Sequence, residues 1–162
     1  MTAIRNNRAR KAGFTLIEIL IVVIILGILA AIVIPQFSSA SNDARKSNVQ
    51  TTAQTLRSQV ALYRLQHQDT LPDIGTFWDK MTKFSNAAGA TQATKDETAG
   101  FVYGPYMQQI PTNSLNGLST VGPTVGDADP AADCGWAYDY QAGIGSGQVW
   151  GTGLDKKARI LP

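Results

Sequence analysis

Residues 11–18 read KAGFTLIE, and they open an apolar run that continues to Ile34. From Phe14 to Ile34 the run has twenty-one residues and a single charged side chain, that of Glu18. As an α-helix it would be about 30 Å long, which matches the hydrocarbon core of a bilayer. An ionised carboxylate in hydrocarbon costs roughly 3 kcal/mol or more. The stretch therefore predicts a membrane-length helix with one polar feature that needs an explanation.

The charge of the chain is concentrated before this run. Residues 1–13 contain four basic side chains and no acidic one, whereas the remainder of the 162-residue chain has 10 basic and 12 acidic side chains, a net charge of −2. Nucleic-acid binding needs a basic face on the folded part, so this class of function loses its support. A basic flank beside an apolar span is typical of the cytoplasmic side, which places the residues after Ile34 outside.

Three interpretations of the apolar run are open. An ordinary secretory signal would be cleaved after small residues such as Ala30 and Ala31, but the run is long for that class. An uncleaved signal anchor explains the length and the orientation, but it does not explain Glu18. Cleavage between Gly13 and Phe14 would remove the basic leader and create an α-amino group on Phe14. That group would lie one helical turn from Glu18, and the resulting charge pair, within a chain or between neighbours, would make the carboxylate tolerable.

The stretch 11–18 resembles the class III signal of type IV pilins and type II secretion pseudopilins. The resemblance implies that a prepilin peptidase cleaves after Gly13 and N-methylates Phe14. It also implies that Glu18 sets the assembly register by meeting the Phe14 amine of the neighbouring subunit. Pro35 lies where this family has a helix-kinking proline. Proline lacks an amide hydrogen, so it bends or locally opens a helix, although membrane helices also tolerate it without such a role.

A second, amphipathic stretch of helix is predicted from residue 35 to residue 68. Its apolar residues recur at steps of three to five, as expected for one helix face: Phe37, Ala40, Ala44, Val49, Ala53, Leu56, Val60 and Tyr63. Breaker residues follow Gln68. We therefore expect four segments: a leader over residues 1–13 that is removed, a transmembrane or filament-core helix over 14–34, its amphipathic continuation over 35–68, and a globular domain over 69–162.

In the globular part, the sequence pattern predicts a short helix from Ile74 to Phe84. It also predicts a loop over residues 85–100 and a second loop over residues 116–135. Alternating aromatic residues predict a strand from Cys134 to Gln141, which a turn at 143–147 joins to a returning strand at 148–150. Residues 104–111 resemble the GPY-x-x-x-(I/L/V)-P segment of major pseudopilins. The expected fold is α+β and pilin-like: a long N-terminal helix, hydrophobic in its front half, packed by its back half on a small antiparallel β-sheet domain.

Asp127, Asp129 and Asp133 bring three carboxylates into one short segment, and calcium prefers such hard oxygen ligands. The resemblance adds that major pseudopilins bind calcium in a comparable loop; the alternative is a solvated acidic loop. His67 is the one histidine, and we expect it to be a polar residue near a helix C-terminus. The single cysteine, Cys134, allows no intramolecular disulfide. The sequence has no catalytic motif, so we expect a protein that is not an enzyme.

These features predict a structural subunit of a type II secretion pseudopilus that supports protein export. The resemblance implies as partners other copies of the chain, the prepilin peptidase, minor pseudopilins and an inner-membrane assembly platform. It also implies storage in the inner membrane, with one span and the C-terminal domain in the periplasm, before assembly into a periplasmic or cell-surface filament. One alternative is a type IV pilin for adhesion, motility or DNA uptake. Another is a membrane-anchored binding module or enzyme on a helical stalk.

Overall fold

The computed structural model describes residues 13–124, 129–140, 145–156 and 158–160. Helix α1, Leu16–Gln66, belongs to both of the compact units into which the chain divides, Met1–Ser41 and Asn42–Pro162. The predicted segment boundaries after residues 13, 34 and 68 concern processing and membrane insertion, and they stay predictions.

In the first unit α1 is a continuous helix with Pro35 in its interior. Proline has no amide hydrogen, so the carbonyl four residues earlier receives no bond from this position. The Ser39 hydroxyl donates to the Pro35 carbonyl at 3.2 Å and bridges the next turn. The function of Pro35 as a kink stays a prediction.

In the second unit the remainder of α1 presents one apolar face to the core. Val49, Ala53, Leu56, Val60 and Tyr63 are all buried, at steps of four and three. The amphipathic pattern therefore identified this face correctly. Earlier members of the same series, including Phe37 and Ala44, are exposed, and α1 ends at Gln66.

A short helical segment follows α1. A 3-10 turn, Ile74–Thr76, leads directly into helix α2, Phe77–Thr82, whose Phe77 and Met81 are buried. The Asp73 carboxylate accepts the Gly75 amide at 2.9 Å and caps the 3-10 turn. The helix predicted from Ile74 to Phe84 is thus shorter than expected.

Short strands then occupy part of the region that the sequence predicts as a loop. Strand β1, Phe84–Ser85, pairs antiparallel with β2, Thr91–Gln92. Each strand has two residues, so their composition alone gives little strand signal.

The second sheet contains three described strands in the order β3-β4-β5. They are β3, Val121–Thr124; β4, Trp136–Asp139; and β5, Val149–Gly151. Strands β4 and β5 form the predicted antiparallel hairpin, with Tyr138 opposite Val149; residues 141–144 of its turn lie outside the described residues. Strand β3 pairs parallel with β4 and falls inside the predicted loop 116–135, so that loop prediction was wrong for these residues.

The core forms where the buried face of α1 meets this sheet and α2. Trp136, Tyr138, Val149, Phe77 and Met81 complete it and are almost fully buried. Asn113 is fully buried as well; its Nδ2 donates to the carbonyls of Gly135 and Thr152, each at 2.8 Å. The long N-terminal helix with small sheets confirms the α+β, pilin-like fold, with the correction that the three-stranded sheet is mixed.

Candidate functional site

The predicted processing site lies immediately before α1. Gly13 and Phe14 precede the helix and are exposed, and nothing lies within 4 Å of the position that a β carbon on Gly13 would occupy. Phe14 exposes 84% of its surface. Within the part of the chain that the structure describes, both residues are therefore exposed, and the bond between them is accessible. Cleavage at this bond and methylation of Phe14 stay predictions.

Glu18 lies in the first turn of α1, where its carboxylate is held by Thr15. Its Oε2 accepts the Thr15 amide at 2.8 Å and the Thr15 hydroxyl at 2.7 Å. The Glu18 amide in turn donates to Thr15 Oγ1 at 3.3 Å. This reciprocal pattern is a capping box, and it satisfies backbone donors that a helix start leaves open. A negative side chain is also favoured at this end of the helix dipole.

The side chains that surround this turn are apolar and uncovered. From Phe14 to Ile34 the large hydrophobic residues expose between 46% and 84% of their surface. Helix α1 contains a stretch that is long and apolar enough to cross a bilayer. A signal sequence near the N-terminus meets the same criteria of length and composition. An apolar surface of this size needs a cover, which a lipid bilayer or other apolar helices can provide.

The three aspartates of the predicted calcium site are not brought together by the part of the chain that the structure describes. Asp127 lies outside the described residues. Asp129 and Asp133 are exposed, and Asp129 Oδ1 accepts the Arg159 amide at 3.1 Å. No group of three or more histidine, cysteine or acidic side chains within the described ranges is placed to hold a metal. Calcium at Asp127, Asp129 and Asp133 stays a prediction.

His67 directly follows the last residue of α1, near the helix C-terminus as the sequence predicts, but its side chain is buried. It is 98% buried, and its ring stacks on Tyr63 with centroids 3.8 Å apart. Because the Tyr63 carbonyl can only accept, His67 Nδ1 must carry the hydrogen in their 2.9 Å contact. Its Nε2 then accepts from the Ser85 hydroxyl at 3.0 Å. No local pattern predicts this cluster, because Ser85 and the neighbouring rings of Tyr103 and Tyr106 come from positions further along the chain.

Cys134 is buried and is a free thiol in the described structure. Burial raises the pKa of this thiol above its ordinary value, so the reactive thiolate is disfavoured. Cys134 and His67 are therefore explained by packing.

The segment that resembles the pseudopilin motif is anchored to both helices. The amides of Tyr106 and Met107 both donate to the Met81 carbonyl, at 2.9 and 2.8 Å. The Tyr106 hydroxyl donates to Gln66 Oε1 at 2.6 Å. Residues 104–111 thus connect α2 with the end of α1.

Comparison with known proteins gives one family-model match, described as a prokaryotic N-terminal methylation motif, over residues 8–34. The chain is 46% identical over 57 residues to the type IV narrow pilus major component PilA5 of Thermus thermophilus, covering 35% of this chain and 49% of that protein. It is 40% identical over 61 residues to the type II secretion system core protein G of Pseudomonas aeruginosa, covering 38% of this chain and 43% of that protein. In both cases the chain spans less than half the length of the relative.

A weaker match covers nearly the whole chain. The type IV major fimbrial protein FimA of Dichelobacter nodosus is 26% identical over 161 residues, covering 96% of this chain and 94% of that protein. No solved structure matches the chain significantly.

Proposed function

Because this chain belongs to the family of type IV pilins and type II secretion pseudopilins, we propose that it is a structural subunit of a type II secretion pseudopilus. The observation that carries the proposal is the first turn of α1. There a single carboxylate, that of Glu18, lies one turn from Phe14 within an exposed apolar surface. The role is mechanical and not catalytic.

The proposed mechanism begins with storage in the inner membrane, with residues 14–34 in the bilayer and the globular domain in the periplasm. A prepilin peptidase cleaves after Gly13 and methylates the new amine of Phe14. In the assembled filament the Phe14 amine of one copy meets the Glu18 carboxylate of another, and the pair replaces the contact between Glu18 and Thr15. A buried charge that has a partner is tolerated, whereas an unpaired one is strongly unfavourable, so this pairing selects one register.

Assembly covers the apolar surface of α1 with the same surface of other copies. The growing filament then moves secreted proteins outward, with minor pseudopilins, an inner-membrane assembly platform and a separate ATPase as partners. The anchored segment at residues 104–111, which resembles that of major pseudopilins, supports the secretion role, as do the matches to core protein G from several bacteria.

A second candidate is a type IV pilin subunit. The matches to PilA5 and to FimA, the latter along nearly the whole chain, favour it. Deletion of the gene separates the two. Loss of extracellular protein secretion with normal surface pili supports the pseudopilus, whereas loss of pili with normal secretion supports the pilin.

Processing is tested by mass spectrometry of the native protein. We expect an N-terminus at Phe14 that carries one methyl group. A native chain that still carries Met1–Gly13 would contradict the whole proposal and would favour a membrane-anchored binding module or enzyme.

Register is tested by Glu18→Leu, with Ile19→Leu as the matched control in the next position. We expect both variants to insert into the membrane, but only Glu18→Leu to lose filaments. Normal filament yield from Glu18→Leu would show that the charge pair does not direct assembly.

A further inference from the structure

One asparagine of the chain, Asn116, is followed directly by a glycine, Gly117, and the sequence contains no other such pair. In this pair the glycine amide nitrogen can attack Cγ of the asparagine side chain, because glycine has no β carbon to hinder the approach. The new C–N bond closes a succinimide ring, the Cγ–Nδ2 bond breaks, and the amide leaves as ammonia with the glycine proton. Water then opens the ring to aspartate or isoaspartate. Asn116 is therefore a candidate for spontaneous deamidation.

The structure holds the Asn116 side chain at both of its polar atoms. Its Nδ2 donates to Thr152 Oγ1 at 2.8 Å and lies 3.2 Å from the carbonyl oxygens of Cys134 and Gly153. Its Oδ1 accepts the Leu118 amide at 3.0 Å. The nitrogen must point toward these carbonyls, since a carbonyl oxygen can only accept. Both substituents of the carbon that would be attacked are therefore engaged.

The attacking nitrogen is held as well. The Gly117 amide donates to the Asn113 carbonyl at 2.8 Å, and the Asn113 amide donates to the Leu118 carbonyl at 2.9 Å. Asn113 is fully buried, so the core fixes the backbone to which Gly117 is bonded. For the attack, the Gly117 nitrogen has to leave the Asn113 carbonyl, and the Asn116 side chain has to turn away from its partners.

We propose that Asn116 is a deamidation site that the folded protein protects and that becomes reactive when the turn at residues 113–118 opens. Opening breaks the backbone bond of Gly117 and the side-chain bonds of Asn116 together. It therefore costs more free energy than the loss of one exposed hydrogen bond. The inference is independent of the filament role, because it concerns only the chemistry of the globular part.

The modified chain could not rebuild the same contacts. An ionised aspartate side chain has acceptor oxygens and no hydrogen to donate, so at position 116 it would face the carbonyls of Cys134 and Gly153 unfavourably. Each of these part-buried carbonyls would lose one of its donors, which costs free energy. Isoaspartate would also lengthen the backbone of the turn by one atom. Deamidation of an opened chain would therefore weaken the folded state to which that chain returns.

The test incubates the full-length protein in detergent at mildly alkaline pH, with and without urea. The urea concentration is one at which near-ultraviolet circular dichroism shows that the globular part is unfolded. Peptide mass spectrometry then measures the conversion of Asn116, with Asn113 as the internal reference. We expect Asn116 to convert at least about tenfold more slowly in the folded protein than in urea. Equal rates in the two conditions, or no conversion in urea, would overturn the proposal.

Two variants test the chemistry and its consequence. Gly117→Ala should slow the conversion in urea, because the added methyl group hinders the attacking nitrogen, and an unchanged rate would contradict the succinimide route. Asn116→Asp provides the product directly, and we expect it to lower the Tm by roughly 4 °C or more. Asn42→Asp is the matched control, since it makes the same change at an exposed position of α1. Equal Tm values for the two aspartate variants would show that the product folds normally and would overturn the predicted weakening. Should Asn116→Asp fail to fold, that weakening is confirmed, and the comparison in urea needs no variant.

Discussion

Gly151 of β5 lies so close to Val49 of α1 that a β carbon on the glycine would overlap Val49 Cγ1. Val49 is fully buried, and Gly151 pairs with Trp136 at the end of the hairpin. The absence of a side chain at this one position lets the edge strand approach the helix, so the packing of β5 on α1 depends on it.

We expect Gly151→Ala to destabilise the protein by about 1–3 kcal/mol, because an added methyl group in a close-packed core forces its neighbours apart. Combining it with Val49→Ala makes room for that methyl group. The double variant should therefore be less destabilised than the sum of the two single variants, as measured by chemical denaturation. Strict additivity would show that the two sites do not contact each other as described.

Ser85→Ala tests the polar contact inside the aromatic cluster. Ser85 is fully buried and donates to His67 Nε2, so its removal leaves a buried acceptor without a partner. We expect a loss of about 1–3 kcal/mol in the free energy of unfolding. Ser58→Ala is the control, because the Ser58 hydroxyl is exposed and bonds only to its own helix, and it should change stability by less than about 0.5 kcal/mol.

Asn113→Ala should be more damaging than most surface changes. The side chain donates to two carbonyls, those of Gly135 and Thr152, and its Oδ1 accepts the Leu115 amide at 2.9 Å. Truncation leaves these groups buried or poorly paired, which predicts a loss of about 3 kcal/mol. Gln108→Ala, at an exposed position of the preceding segment, should have little effect. Similar denaturation midpoints for both variants would contradict the proposed role of Asn113.

The stability should also depend on pH through Asp73. The Tyr140 hydroxyl donates to Asp73 Oδ2 at 2.9 Å and holds the pKa of this carboxyl below its usual range, and the Gly75 amide adds to the effect. Because the pKa of Asp73 is lower in the folded state, its ionised carboxylate stabilises the folded protein. This stabilisation is complete when the pH is above the ordinary carboxyl pKa of about 4, and it is lost as the pH falls through the folded-state pKa.

Tyr140→Phe removes the main cause of this shift. We expect its Tm to lie below that of the unsubstituted protein at neutral pH, with the difference shrinking as the solution is acidified below about pH 4. Asp43→Asn, which removes an exposed carboxylate elsewhere, is the comparison. A Tyr140→Phe difference that stays constant across the acid range would show that Asp73 does not carry the effect.

Regular patterns in the sequence predicted the parts of the fold that depend on local periodicity. The buried face of α1 from Val49 to Tyr63 follows from helical spacing, and the hairpin of β4 and β5 follows from alternating aromatic residues and glycines. The same spacing does not predict that Phe37 is exposed. Burial requires other residues to pack against the helix face, and an apolar face alone does not show that they do.

What the sequence missed depends on distant partners. Strand β3 contains Gly122 and Pro123, which locally indicate a loop, and it is a strand because β4 offers it parallel backbone partners. His67 looked like the polar end of a helix, and it is buried because Ser85 and Tyr103 pack against it. Of the predicted site residues, Gly13, Phe14 and Glu18 came from a contiguous motif, whereas the contact of Asp129 with Arg159 has no local signal.

The burial of His67 makes this one imidazole a natural spectroscopic probe. Since the chain has a single histidine, the side-chain nitrogen spectrum should contain one pair of imidazole signals, without any labelling at a chosen site. The nitrogen that donates to the Tyr63 carbonyl and the one that accepts from Ser85 should have well-separated resonances. Changes in that pair would report whether the segment around Ser85 stays docked on α1 when the protein is moved from detergent into a lipid bilayer.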